Sequence, residues 1–279
     1  MIRRTSPAKV NLFLKVLRRR PDGYHDIASL MQQIDLCDEM EFAPAEEKIR
    51  LRCPGSGLPE DERNIVLRAA KLLLDEAGHP GGIEITLRKR IPISAGLGGG
   101  SSNAATTLAA LNEILHLKVP ADRLQAMASS LGADVPFFLF GRSAWAFGIG
   151  NHLQEAPDIP FLEFVLINPG YEVSTRDIYQ GLNFTLTNEM IHYSIPRFFT
   201  AEDLAKGLHN DLETVTLKRH PDLKQWKEKL VDNGALGALM SGSGPTIFGL
   251  FDRQDRAVQA EVALKKCGNC KVFRARSLC

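Results

Sequence analysis

Residues 91–115, IPISAGLGGGSSNAATTLAALNEIL, limit the fold more than any other part of the chain. Four glycines fill five positions, Gly96, Gly98, Gly99 and Gly100, and Ser101 and Ser102 follow. Behind them Ala104, Ala105, Leu108, Leu111 and Leu115 recur at helical spacing. Glycine loses more conformational freedom on folding than any other residue, so this density just before a helix needs a reason. Glycines let the backbone take φ > 0 and turn N–H groups toward a bound oxyanion with no Cβ in the way. A helix that starts there adds orphan N–H donors and the positive end of its dipole. Together these make a phosphate cradle. A flexible turn with a serine cap would need only one or two glycines.

Two standard phosphate loops do not fit. A P-loop needs a lysine after its glycines, and none follows here. The dinucleotide fingerprint G-x-G-x-x-G fails when begun at Gly96, because Ser101 takes the third glycine's place. Asp122 lies about twenty residues on, but after Pro120 at a helix start and not at a strand end.

Around this loop the chain reads as α+β. Ile83, Ile85 and Leu87 alternate with Glu84, Thr86 and Arg88, which predicts a half-exposed strand feeding the glycines. Residues 10–17 and 27–43 carry shorter alternating runs. Helices are expected over 64–77, capped by Asn64 and stopped by Gly78, and over 120–131, stopped by Gly132. The later half predicts strands within 161–170, at 246–251 and at 271–276. It also predicts helices over 221–234, with Leu223, Trp226 and Leu230 on one side, and over 254–266. Strands and helices interleave without β-α-β regularity, which disfavours a doubly wound sheet. Residues 154–160 are the best boundary, giving domains 1–155 and 156–279.

At 279 residues there is room for two domains of moderate size. A net charge of +1 gives no electrostatic reason to expect nucleic acid or an anionic membrane. No apolar run approaches the roughly 18 residues of a membrane span. Lys9 and Asn11 interrupt the apolar part of the start, so a signal peptide is rejected and a cytoplasmic enzyme expected. Five scattered cysteines argue against a disulfide framework. Cys267 and Cys270 have the spacing of half a zinc site with no second pair nearby, so they read as inert thiols, with metal or redox chemistry as the alternative. The histidines show no metal-ligand spacing, and no resident metal is expected.

Several polar residues sit in apolar surroundings. Asp134, among Val135, Phe137 and Phe138, is either a helix N-cap or a functional carboxylate. Lys9 is either a strand-edge lysine with its amine in water or a working cation. Tyr24 and His25 form either a turn with an aromatic plug or a recognition pair. The arginines at 18–20, and Arg88 and Arg90, read as solvated charge, the latter two on one strand face.

Three stretches in order, SPAKVNLFL near the start, PISAGLGGGSS at 92–102 and MSGSGPTIFGLF at 240–251, resemble the motifs of the GHMP kinase superfamily. That superfamily is named for the galactose, homoserine, mevalonate and phosphomevalonate enzymes. RPDGYHDI, GADVPFFL, INPGYEVSTRDIY and NDLE extend the resemblance over essentially the whole chain. They point to the branch acting on a cytidine diphosphate-linked methylerythritol in non-mevalonate isoprenoid synthesis. Asn151 departs from it, where an acidic residue is expected.

The resemblance implies an N-terminal domain like domain 2 of ribosomal protein S5, a ferredoxin-like C-terminal domain and an active site in the cleft between them. It implies ATP, with Mg²⁺ carried mainly by the phosphates and one serine hydroxyl as a further ligand. ATP would be held by Pro92, Ile93, Ser94, Ala95, Gly96, Leu97, Gly98, Gly99, Gly100, Ser101 and Ser102. Lys9 and Asp134 would be catalytic, acting on the 2-hydroxyl. Asn11, Tyr24, His25, Thr175 and Tyr179 would bind the cytidine-linked alcohol. The turn over 241–246 would pack on the first loop. A monomer or weak homodimer is expected. Two alternatives stand beside this reading: a sibling kinase of homoserine or mevalonate, and a nucleotide-binding regulatory module. The second would be expected to lack Lys9 or Asp134, and both are present.

Overall fold

In the computed structural model of the chain, residues 1–156, 159–182, 198 and 200–278 are described. Residues 157 and 158, inside the expected boundary, lie outside the described residues. The elements run β1 (Ile2–Arg19), β2 (His25–Ala45), β3 (Ile49–Arg52), α1 (Ile65–Ala77), β4 (Gly82–Arg88), α2 (Gly99–Ile114), α3 (Ala121–Leu131), α4 (Val135–Phe140), β5 (Ala144–Gly148) and β6 (His152–Glu155). They continue with β7 (Glu163–Asn168), α5 (Thr175–Gln180), α6 (Ala201–Lys206), β8 (His209–Asn210), α7 (Glu213–Arg219), α8 (Asp222–Asp232), β9 (Gly237–Met240), β10 (Ile247–Phe251), α9 (Gln254–Leu264) and β11 (Lys271–Arg276). Two compact units result. The first gathers Met1–Ala8, Cys37–Pro92 and Gly98–Gly141, and the second Lys9–Leu36, Ile93–Leu97 and Arg142–Cys279.

In the first unit the expected alternation becomes β4. Ile83, Ile85 and Leu87 turn inward and are at most 1% exposed. β4 pairs antiparallel with β2, setting Leu87 opposite Met40 and Ile85 opposite Phe42, and parallel with β3. The sheet order is β3-β4-β2-β1. Val66, Ala69, Ala70 and Leu73 of α1 and Leu108 and Leu111 of α2 close over it. Each fully buried leucine or valine contributes roughly 1.5–3 kcal/mol. Asn64 caps α1 by accepting from the Val66 amide at 3.0 Å, and Gly78 ends it in the left-handed region. Helix α2 starts at Gly99, inside the glycine run, because Gly98 already serves as its cap. The strand face expected to carry both Arg88 and Arg90 is corrected: β4 stops at Arg88. Past that point the Arg90 and Ile91 amides donate to Asp38 Oδ1, at 2.8 and 2.9 Å, and so leave the ladder.

In the second unit, β2 pairs through Ile27–Met31 with β5, β5 pairs with β6, and β1 pairs parallel with β8 at Phe13 and Leu14. A separate antiparallel sheet runs β11-β7-β10-β9. Strand β7 is buried at all six positions, as its continuous apolar pattern predicts. The chain goes from β7 through helices to β9, then β10, α9 and β11, which slots the third strand between the first two. This is the ferredoxin-like arrangement the resemblance implied. Leu223 and Leu230 of α8 are fully buried, and Gly249 of β10 lies under Leu230. A Cβ at Gly249 would come within 2.9 Å of Leu230 Cδ2, so helix and strand approach closely only because it is glycine. Among the described residues no helix is long and apolar enough to cross a membrane.

Candidate active site

The second unit holds the beginning of the glycine loop, residues 93–97, strung between β1 and a glycine turn. The Lys9 amide donates to Leu97 O at 2.9 Å. Ser241 Oγ donates to Gly96 O at 2.9 Å, and the Thr246 amide to Ala95 O at 3.4 Å. Gly96 has φ +76°, and a Cβ there would stand 2.1 Å from Ser241 O. Glycine is required at this position on both counts. The turn over 241–246 thus packs on the first loop, as expected.

That turn is itself clamped. The Asn210 side-chain amide donates to Met240 O at 2.8 Å and Gly242 O at 2.7 Å, while its Oδ1 accepts from the Leu212 amide. Glu213 Oε1 accepts from the Met240 amide, and Thr216 Oγ1 donates to Ser243 O. Sequence reasoning used NDLE only as a mark of family and missed these residues as supports of the turn.

Lys9 stands beside the turn. Its reading as an edge lysine with a solvated amine is corrected, since it is 4% exposed. The ammonium donates to Asn11 Oδ1, Asn11 Nδ2 donates to Ser29 Oγ at 2.8 Å, and Ser29 Oγ donates to Phe13 O at 2.7 Å. A buried cation is tolerated only with such partners. A Cβ on Gly242 would lie 3.4 Å from both Lys9 Nζ and Asn11 Oδ1.

The four other expected substrate residues share this unit. Thr175 Oγ1 and Ser243 Oγ are 2.7 Å apart, so α5 begins against the same turn. The His25 and Tyr179 rings lie 5.2 Å apart. Burial, and then the charge of Arg19, push the His25 pKa below the ordinary imidazole value and keep the ring neutral. Tyr24 is 61% exposed. Arg18 and Arg20, half in solvent, both pair with Asp26.

The first unit carries the rest. Gly98, at φ +68°, opens α2, and Gly99 and Gly100 are its first residues. Ser101 is partly exposed on the first turn, whereas Ser102 is fully buried and its hydroxyl accepts from Ser6 Oγ at 2.8 Å. Asp134 occupies the N-cap position of α4, yet its side chain makes no cap bond. Val135, Pro136 and Phe137 behind it are buried. The capping alternative therefore gives no account of this carboxylate. Lys89, which the sequence places between two solvated arginines, instead forms a buried ion pair with Asp38. Among the described residues no three His, Cys, Asp or Glu side chains gather as a resident metal would require.

Residues 64–142 match the description GHMP kinases N terminal domain, and residues 198–270 match GHMP kinases C terminal. The chain belongs to the GHMP kinase family. The 4-diphosphocytidyl-2-C-methyl-D-erythritol kinase of Syntrophus aciditrophicus (strain SB) is 59% identical over 278 residues, covering 100% of both chains. That of Geobacter sulfurreducens is 50% identical, covering 98% of this chain and 94% of its own length. A crystal structure of 4-(cytidine 5'-diphospho)-2C-methyl-D-erythritol kinase superposes with a TM-score of 0.84 at 38% identity, covering 100% of each chain. The homoserine kinase of Cytophaga hutchinsonii shares the fold at 23% identity, with a TM-score of 0.77 over 99% of this chain and 94% of its own.

Proposed function

We propose that this GHMP kinase transfers the γ-phosphoryl group of ATP to the 2-hydroxyl of 4-(cytidine 5'-diphospho)-2-C-methyl-D-erythritol. The products are the 2-phosphate and ADP, in the non-mevalonate route to isoprenoid precursors. The carrying observation is full-length identity of 59% to a kinase of that name. The local geometry agrees, with Lys9, Asn11, Thr175 and the His25–Tyr179 pair in one unit beside a clamped glycine turn.

In the reaction the 2-hydroxyl oxygen forms a bond to the γ-phosphorus while the bond to the ADP oxygen breaks. Asp134 takes the hydroxyl proton, and the Lys9 ammonium offsets charge on the attacking oxygen. The loop from Pro92 to Ser102 receives the triphosphate through the N–H groups that follow the proline, helped by the positive end of α2. Magnesium arriving with ATP would offset phosphate charge, and of the two serines Ser101 would be the one to offer it a hydroxyl, since that of Ser102 is engaged by Ser6. His25 and Tyr179 recognise the cytosine base, the neutral imidazole through directional hydrogen bonds and the phenol ring through stacking. Tyr24 completes that contact, while Asn11, bonded to the Lys9 ammonium, borders the alcohol. The GHMP matches fall one in each of the proposed domains, 1–155 and 156–279. A cytoplasmic monomer or weak homodimer suits a diffusible substrate.

Incubation of the protein with ATP, Mg²⁺ and the cytidine diphosphate alcohol is expected to yield ADP and a monophosphorylated alcohol in equal amounts. Homoserine and mevalonate in parallel reactions are expected to yield neither. Turnover of one of those alcohols, and not of the cytidine compound, sinks the assignment.

A further inference from the structure

We propose that Asp38 is a positioning residue for the nucleotide loop, holding both flanks of the glycine segment with one carboxylate. It is 0% exposed. Its Oδ1 accepts from two successive amides, Arg90 at 2.8 Å and Ile91 at 2.9 Å, where β4 ends and the chain turns toward the glycines. Its Oδ2 accepts from the Lys89 ammonium and from Asn103 Nδ2 at 2.9 Å, and Asn103 lies one turn into α2. Lys89 also donates to Asn103 Oδ1 at 3.1 Å.

The network extends to the start of the helix. Asn103 Nδ2 reaches Ser6 Oγ at 2.9 Å, and Ser6 Oγ donates to Ser102 Oγ. A Cβ on Gly99 would lie 3.1 Å from Lys89 Nζ, so the ammonium is pressed against the first residue of α2. The entry to the glycine segment and the helix that leaves it are therefore tied to the same two carboxylate oxygens.

A buried ion pair is poor evidence for stability, because desolvation opposes its attraction. Its use here is geometric: it fixes where the α2 amides begin. Loop amides that must be reassembled before they meet phosphate bind with part of their energy already spent.

In Asp38→Asn the side-chain oxygen can still serve the Arg90 and Ile91 amides. The new NH₂ then faces the Lys89 ammonium and the Asn103 amide, donor against donors. The inference rests on the ATP reading above, so the test includes Gly98→Val, which strains the left-handed residue that opens α2. In steady-state assays Asp38→Asn is expected to raise the KM for ATP about tenfold, equivalent to about 1.4 kcal/mol. The KM for the alcohol should stay within about twofold, and kcat should fall less than the ATP KM rises. Asn103→Ala, which cuts only the helix tie, is expected to raise the ATP KM by a smaller factor, and it carries the test should Asp38→Asn fail to fold. A purely structural role would lower the melting temperature and leave the ATP KM of the folded fraction unchanged. That result, or equal changes in both KM values, overturns the inference. A wild-type ATP KM in Gly98→Val would instead overturn the ATP reading itself.

Discussion

Lys9 is a buried ionisable group and Asp134 a partly buried one, and each has a different explanation. Lys9 is buried but anchored, through Asn11 and Ser29, to the backbone of its own strand. Asp134 stands at a helix start without capping it. Its carboxylate is expected to be needed for turnover. Asp134→Asn should lower kcat by about 10²-fold or more, the usual scale for a positioned base, while ATP binding measured calorimetrically stays near wild type. Near-normal turnover would remove it from the mechanism. His25 gives the pH dependence. Burial depresses its folded-state pKa, so it stays neutral in the ordinary imidazole range, where the unfolded chain already takes up a proton. Its contribution to stability is present above the unfolded value and is lost as pH falls through the folded one. Because recognition of the base uses the neutral ring, the KM for the alcohol should be flat above neutrality and rise as the pH falls through the lowered folded-state value of His25. A profile of that KM that stays level on acidification would contradict the role.

Among the elements, the two glycine turns form a single device within the second unit. Gly96 is held against Ser241 by a hydroxyl bond and by the absence of a Cβ, and the Ser241 turn is held by Asn210, Glu213 and Thr216. Gly96→Ala would combine a 2.1 Å clash with Ser241 O and a left-handed backbone, a conformation that costs a non-glycine residue about 1–3 kcal/mol. Loss of measurable ATP binding is expected, with the circular dichroism spectrum preserved. Ser241→Ala removes only one hydrogen bond, worth about 1 kcal/mol, so ATP affinity should fall only several-fold. Wild-type affinity in Gly96→Ala would show that the loop's contact with the second turn is unimportant. Much of this was legible in the chain, because dense glycine and a following apolar period leave few foldings open. The clamp was not, because Asn210 acts on main-chain atoms 30 and 32 positions away.

At the scale of the molecule, the strands with readable patterns, β4, β7 and β10, and the helices α1, α3 and α8 all lie where those patterns put them. The short elements β5, β6, β8 and β9 and helices α4 to α7 carry no readable period. Strand β8 is two residues long and exists because Phe13 and Leu14 are there to pair with it. The Asp38 network is equally invisible locally, since its side-chain partners Lys89 and Asn103 stand 51 and 65 positions along the chain. Neither compact unit is one continuous stretch of polypeptide. During synthesis Lys9–Leu36 leaves the ribosome early, yet its strand partners Ala144–Gly148 and His209–Asn210 are still untranslated. At about 5–20 residues per second that segment waits on the order of ten seconds with bare strand edges. Production of this protein in a foreign host should therefore be sensitive to translation speed and to the supply of nascent-chain chaperones.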